Sequence, residues 1–155
     1  MHRIWQSLKH FRPEEFHRPD KLNPDALRLL DAMRDSVDGE VIVTINADYA
    51  ESGHTPNSWH YKGRAFDLVI RDAKTHEPLP VIKQFLIAVR FNWGGIGVYP
   101  FWRSPGLHLD NRPLSLTDRR AMWWRNEEGK YRPIEEFFAM KIPSYGGIEN
   151  AQGIS

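Results

Sequence analysis

Apolar positions recur along the chain with two different periods, and the switches between them outline a mixed fold. Leu27, Leu30 and Met33, with Leu29 beside them, repeat at helical spacing and predict a helix. Asn23-Pro24-Asp25 supplies an N-cap and a proline at the first helical position, and Asp38-Gly39 ends the helix. Val81, Ile82, Phe85, Leu86 and Val89 repeat the pattern between Pro80 and Phe91 and predict an amphipathic helix covering one face of a sheet. Glu40 to Asn46, dominated by β-branched residues, reads as a buried strand. Arg64 to Ile70 and Ile96 to Tyr99 read as two more, and the segment around His108 as another. Phe11 to Phe16 predicts a short helix anchored by its two aromatic ends, and Arg132 to Met140 a further helix. Thr117 to Arg125 is expected to be helical, with Trp123 and Trp124 packing into the core. Gly, Pro, Asn and Asp punctuate the stretches between these elements. The expected architecture is α+β: one domain over residues 1–145 with a small, mostly antiparallel sheet flanked by helices, then a flexible tail at 146–155.

Composition narrows the function classes. A chain of 155 residues buries a core without disulfides or a metal staple, so a metal, where one is bound, serves chemistry. Lys+Arg 21 against Asp+Glu 20 leaves a formal charge of +1, which argues against a nucleic-acid partner. The absence of cysteine leaves only nitrogen and oxygen as metal donors. No stretch approaches the ~20 apolar residues of a membrane span, and the first ten residues lack the apolar run of a secretory signal. These features predict a protein that is cytoplasmic as synthesised, not inserted in a membrane, and monomeric.

The candidate chemistry lies in Ser58-Trp59-His60-Tyr61-Lys62-Gly63-Arg64-Ala65-Phe66-Asp67 and, about forty residues on, Leu107-His108-Leu109-Asp110. Two imidazoles and two carboxylates are the inventory of a small zinc site. On one continuous helix, His60 and Asp67 would stand roughly 10 Å apart, too far to share an ion, so the chain must fold back between them. Gly63 supplies the turn, and a strand then carries Asp67 near its start. On an extended segment His108 and Asp110 project from the same face. Antiparallel pairing of the two strands would bring opposed side chains to about 4.5–5.5 Å at Cβ, close enough to share one ion. His54, in the polar loop 46–57, reads as a loop or substrate-lining residue, and His76 as an exposed turn residue.

The pattern Ser-x-His-x-x-Gly-x-Ala-x-Asp, followed by Gly95-Ile96-Gly97-Val98-Tyr99 and His-x-Asp, resembles the zinc D-Ala-D-Ala carboxypeptidase family over residues 41–112. That superfamily also holds vancomycin-resistance D,D-dipeptidases, phage endolysins and the hedgehog signalling domain. The resemblance implies a hedgehog/DD-peptidase-like fold, one Zn2+ held by His60, Asp67 and His108, and a nearby carboxylate, Asp110, as general base. It further implies peptidoglycan stem peptide as substrate, with hydrolysis at D-residue-containing bonds, either as a carboxypeptidase or as an endolysin-type endopeptidase. A phage-derived product acting on the cell wall after release fits the same picture. Ser58 belongs to the motif and is assigned to substrate binding. The arginine that family members carry after the strand before the first ligand has no counterpart in Thr44 to Glu51, and Pro105 stands where many relatives place an acid. Arg112 or Arg103 is therefore expected to meet the substrate carboxylate. An inactive zinc-containing binding module, a cytosolic D,D-dipeptidase and a zinc-free structural protein are the alternative outcomes.

Overall fold

The computed structural model describes residues 3–114 and 119–140. The expected tail at 146–155 and the first two residues of the helix expected at 117–125 lie outside them. Six strands form one sheet among the described residues: β1 (Val41–Ala47), β2 (Ala65–Asp72), β3 (Gly95–Tyr99), β4 (Gly106–Asp110), β5 (Ala121–Arg125) and β6 (Tyr131–Pro133). Their spatial order is β1-β2-β4-β3-β5-β6. Every pairing is antiparallel except that of β3 with β5. The α-helices are α1 (Pro24–Asp35), α2 (Val81–Ala88) and α3 (Ile134–Ala139), so the class is α+β. Among the described residues no helix is long and apolar enough to cross a membrane.

The period-two rule divides the sheet into two faces. Phe66, Leu68 and Ile70 of β2, Leu107 and Leu109 of β4, Ile96 and Val98 of β3 and Trp124 of β5 are buried on one side, in the main core. Leu27, Leu30 and Met33 of α1 join that core, as do Val81, Ile82 and Phe85 of α2. Asn23 caps α1 as its sequence predicts, its side chain accepting the Ala26 N–H at 3.0 Å. An N-terminal arm of short 3-10 turns completes the cover with Ile4, Trp5, Leu8, Phe11 and Phe16. Two carboxylates fasten this arm through its backbone. Asp31 accepts the N–H groups of Lys9 and His10 at 3.0 and 2.8 Å, and Asp48 those of His17 and Arg18 at 2.6 and 3.1 Å. The opposite face carries Asp67, His108, Asp110, Gly97, Tyr99 and Trp123, and it is here that the candidate chemistry gathers.

Several expectations need correction. Residues 121–125 form a strand rather than a helix, with Trp123 and Trp124 on opposite faces. Trp124 is buried against Phe137, ring centroids 5.6 Å apart, whereas Trp123 faces the site and is only half-buried. With one tryptophan for each face, β5 lacks the apolar-polar alternation that would have marked it as a strand. Strand β1 is an edge strand, buried at Val41 and Ile45 but open at Thr44, rather than buried along its length. Between Phe11 and Phe16 the only helical turn is the 3-10 segment Pro13–Glu15, although both aromatic ends are buried.

A close approach depends on Gly97. A Cβ at this position would sit 2.6 Å from the Trp123 indole, which lies across β3 towards His108. Gly97→Ala is expected to destabilise the fold by about 1–3 kcal/mol, the usual cost of overpacking. An unchanged denaturation midpoint would show that the indole swings aside freely.

Candidate metal centre

His60 enters the site on the 3-10 turn Trp59–Lys62. Ser58 caps that turn, its Oγ accepting the His60 N–H at 3.3 Å. Gly63 closes it at φ 66°, where a Cβ would run into the carbonyl oxygen of Lys21, and the chain then reverses into β2. This reversal lets residues seven apart face one another. His60 Nδ1 donates to the main-chain oxygen of Asp48 at 2.6 Å, so in the neutral ring Nε2 carries the lone pair. Nε2 lies 3.2 Å from Asp67 Oδ1.

His108 reaches the same atom from the neighbouring strand. Asp67 and His108 are directly opposed in the β2–β4 ladder, and His108 Nδ1 lies 3.0 Å from Asp67 Oδ1. Its other nitrogen, Nε2, donates to Asp110 Oδ2 at 2.8 Å. Arg112 backs Asp110, with Nε 2.7 Å from Oδ1 and Nη2 2.7 Å from Oδ2, and its main-chain N–H adds a third bond to Oδ1 at 3.1 Å. The Arg112 guanidinium also stands 5.8 Å from the Trp59 ring centre and 5.4 Å from that of Trp123.

This arrangement fits a cation. The outward nitrogens of both histidines are committed as donors, to a carbonyl and to a carboxylate, leaving two ring nitrogens aimed at one carboxylate oxygen. Three lone-pair atoms facing one another repel unless a proton or a metal ion lies among them. His54 offers a second donor set with His60 and Asp67. Its ring stacks on His60 with centroids 4.0 Å apart, and the donor atoms of His54, His60 and Asp67 all lie within 4.8 Å of one another. The His54-His60-Asp67 group is thus placed to hold a metal ion, and His54 is more than the loop residue its sequence context suggests. Nothing in its spacing marked it; the 46–57 loop curls back so that the Tyr61 hydroxyl donates to the His54 carbonyl oxygen at 2.7 Å.

The ionisation of these groups follows from the same contacts. Burial pushes the His108 imidazolium down, but Asp110 and Asp67 outweigh it and raise its pKa to about 9 in the metal-free protein. Burial likewise works against the Asp67 carboxylate, yet the neighbouring His108 and His60 hold it well below the usual carboxylate range. Asp110 is pushed down to about 2, since Arg112 and then His108 overcome its burial. His54 is lowered from its ordinary value by partial burial and by the neighbouring His60.

A cleft of about 780 Å³ opens over the centre, and His54, His60, Asp67 and His108 all line it. Ser58 and Arg112 line it too, but Ser58 spends its hydroxyl on the turn and Arg112 its fork on Asp110. Asp110 is not in the lining; it is fully buried behind His108, with both oxygens engaged. Arg103 is exposed and is not among the residues that line the cleft. Asp48, another acid near the first motif, is buried and taken up by the N-terminal arm. Trp123, expected to pack into the core, lines the cleft beside His108, and Trp102, Arg125 and Tyr131, which sequence reasoning passed over, line it as well. No family model matches the chain, and neither a curated protein nor a solved structure does.

Proposed function

We propose that the protein is a zinc-dependent peptidase with a hedgehog/DD-peptidase-like fold that hydrolyses D-residue-containing peptide bonds of peptidoglycan. The observation that carries this reading is the convergence of His60 Nε2 and His108 Nδ1 on Asp67 Oδ1, at 3.2 and 3.0 Å, at the bottom of an open cleft. His60, Asp67 and His108 hold the zinc, with His54 beside them. Zinc in such a nitrogen and oxygen site supplies Lewis-acid polarisation of a carbonyl oxygen and activation of water near neutral pH. The substrate class comes from the motif resemblance, whereas the roles of the protein groups come from their geometry. The Asp48 carbonyl fixes the tautomer and orientation of His60, and Asp110 does the same for His108. Arg112 keeps Asp110 ionised, so Asp110 acts as a positioning residue through His108 instead of accepting a proton from water.

Purified peptidoglycan digested with zinc-loaded and with chelated protein tests the activity, with products read by mass spectrometry. Peptides cut at D-residue bonds are expected from the loaded protein only. Full zinc loading with no cleavage would favour a zinc-containing binding module. Asp110→Asn tests the assignment of roles. As a support for His108 its loss is expected to weaken metal affinity by about 10- to 100-fold, with activity recovering at saturating zinc. Unchanged affinity with a roughly 100-fold loss in turnover would return Asp110 to the general-base role.

A further inference from the structure

The cleft carries one charge that the metal centre does not use. Among its described lining residues, Asp67 faces the histidines and Arg112 is neutralised by Asp110, which leaves Arg125 without a carboxylate partner. Arg125 is exposed at the end of β5 but has local contacts. Its Nε donates to the Gly129 carbonyl oxygen at 3.0 Å, across the β5–β6 hairpin, and its guanidinium lies 5.6 Å from the Tyr131 ring centre. A planar fork whose terminal nitrogens have no partner among the described residues suits a carboxylate.

Its distance from the centre follows from the sheet register. Asp67, His108, Gly97 and Trp123 form one row across β2, β4, β3 and β5. Three strand spacings of about 4.8 Å separate Asp67 from Trp123, roughly 14 Å. Arg125 lies two residues further along β5, about 6–7 Å, so the two backbones are roughly 16 Å apart. The intervening floor is aromatic. The Trp123 ring lies 5.3 Å from His108, and its Nε1 donates to the Tyr99 hydroxyl at 3.4 Å. Tyr99 in turn stacks on Trp102, ring centres 4.2 Å apart.

We propose that Arg125 is a specificity-determining residue: it binds a carboxylate of an extended peptide whose scissile bond lies at the metal centre, with three to five residues bridging the two across the Trp123 and Tyr99 floor. The assignment rests on the peptidase reading above and deepens it. A bound dipeptide places its terminal carboxylate one residue from the bond to be cut, and each residue spans at most about 3.6 Å. Arg125 therefore serves a peptide longer than a dipeptide, whichever side of the scissile bond carries the carboxylate.

Binding and cleavage separate the two claims. The zinc-loaded full chain is titrated with D-alanine peptides of two to six residues, each as C-terminal acid, as N-succinyl amide and as neutral amide. Tryptophan fluorescence reads binding, and mass spectrometry of the same samples reads hydrolysis. An affinity gain of about tenfold over the neutral amide, the scale of one charge-assisted hydrogen bond, is expected in one of the two charged series from about four residues upward. It is expected to vanish in Arg125→Gln. A gain already complete at dipeptide length, one that survives Arg125→Gln, or no gain at any length would overturn the assignment. The expected length-dependent gain without hydrolysis would support the subsite and count against the peptidase reading instead.

Discussion

Asp67→Asn is expected to abolish tight metal binding, with a loss exceeding the roughly 10- to 100-fold that removal of an outer-shell partner costs. The substitution keeps the size of the side chain but removes the charged oxygen on which His60 and His108 converge. It strikes every candidate donor set at once, because Asp67 belongs both to the pair of contacts with His60 and His108 and to the group that includes His54. The fold is expected to persist. Asp67 lies on the cleft face of β2, and its strand is held by Phe66, Leu68 and Ile70 on the other side. A competition titration against a chelator measures the affinity, and a thermal melt of the same sample reports folding. A folded Asp67→Asn protein that still held zinc tightly would remove this carboxylate from the centre and, with it, the argument from convergence.

How much of this was legible in the sequence varies with the kind of interaction. The turn at Gly63, the strand carrying Asp67 and the same-face placement of His108 and Asp110 are local consequences of backbone geometry. They needed only spacing and residue type, and the observed ladder pairs Asp67 with His108 directly. The two main helices were legible for the same reason, through an Asn-Pro cap in one and an apolar stripe in both. What escaped depended on long-range contacts. The buried role of Asp48 comes from an arm thirty residues earlier in the chain, whose backbone N–H groups it satisfies. The commitment of Arg112 to Asp110 was invisible because two neighbouring charged residues in a sequence do not say whether they meet one another or a ligand. His54 and Arg125 became site candidates only through the path of a loop and the order of the strands.

Zinc affinity is expected to rise by about tenfold per pH unit from about pH 7 up to about pH 9. In the metal-free protein His108 lies between Asp67 and Asp110, which raise its pKa to about 9 against the effect of burial. Below that value its Nδ1 carries a proton where the ion must sit, and each ion bound displaces that proton, so the affinity gains one power of ten per pH unit. The same group acts on stability with the opposite sign. Because its pKa is raised on folding, its contribution is complete below the unfolded value of about 6.5 and is lost as the pH climbs towards about 9. Metal-free protein therefore loses stability across the window in which zinc binds more tightly, and the gap in melting temperature with and without chelator-buffered zinc is expected to widen from pH 6 to 9. The measurement also separates the two donor sets. His54 has its pKa lowered, so it has no proton to surrender above neutrality. A gap that stayed flat over that range would mean that His108 keeps its proton and that the ion rests on His54, His60 and Asp67, leaving the Asp67–His108–Asp110 chain as a hydrogen-bonded brace behind the centre.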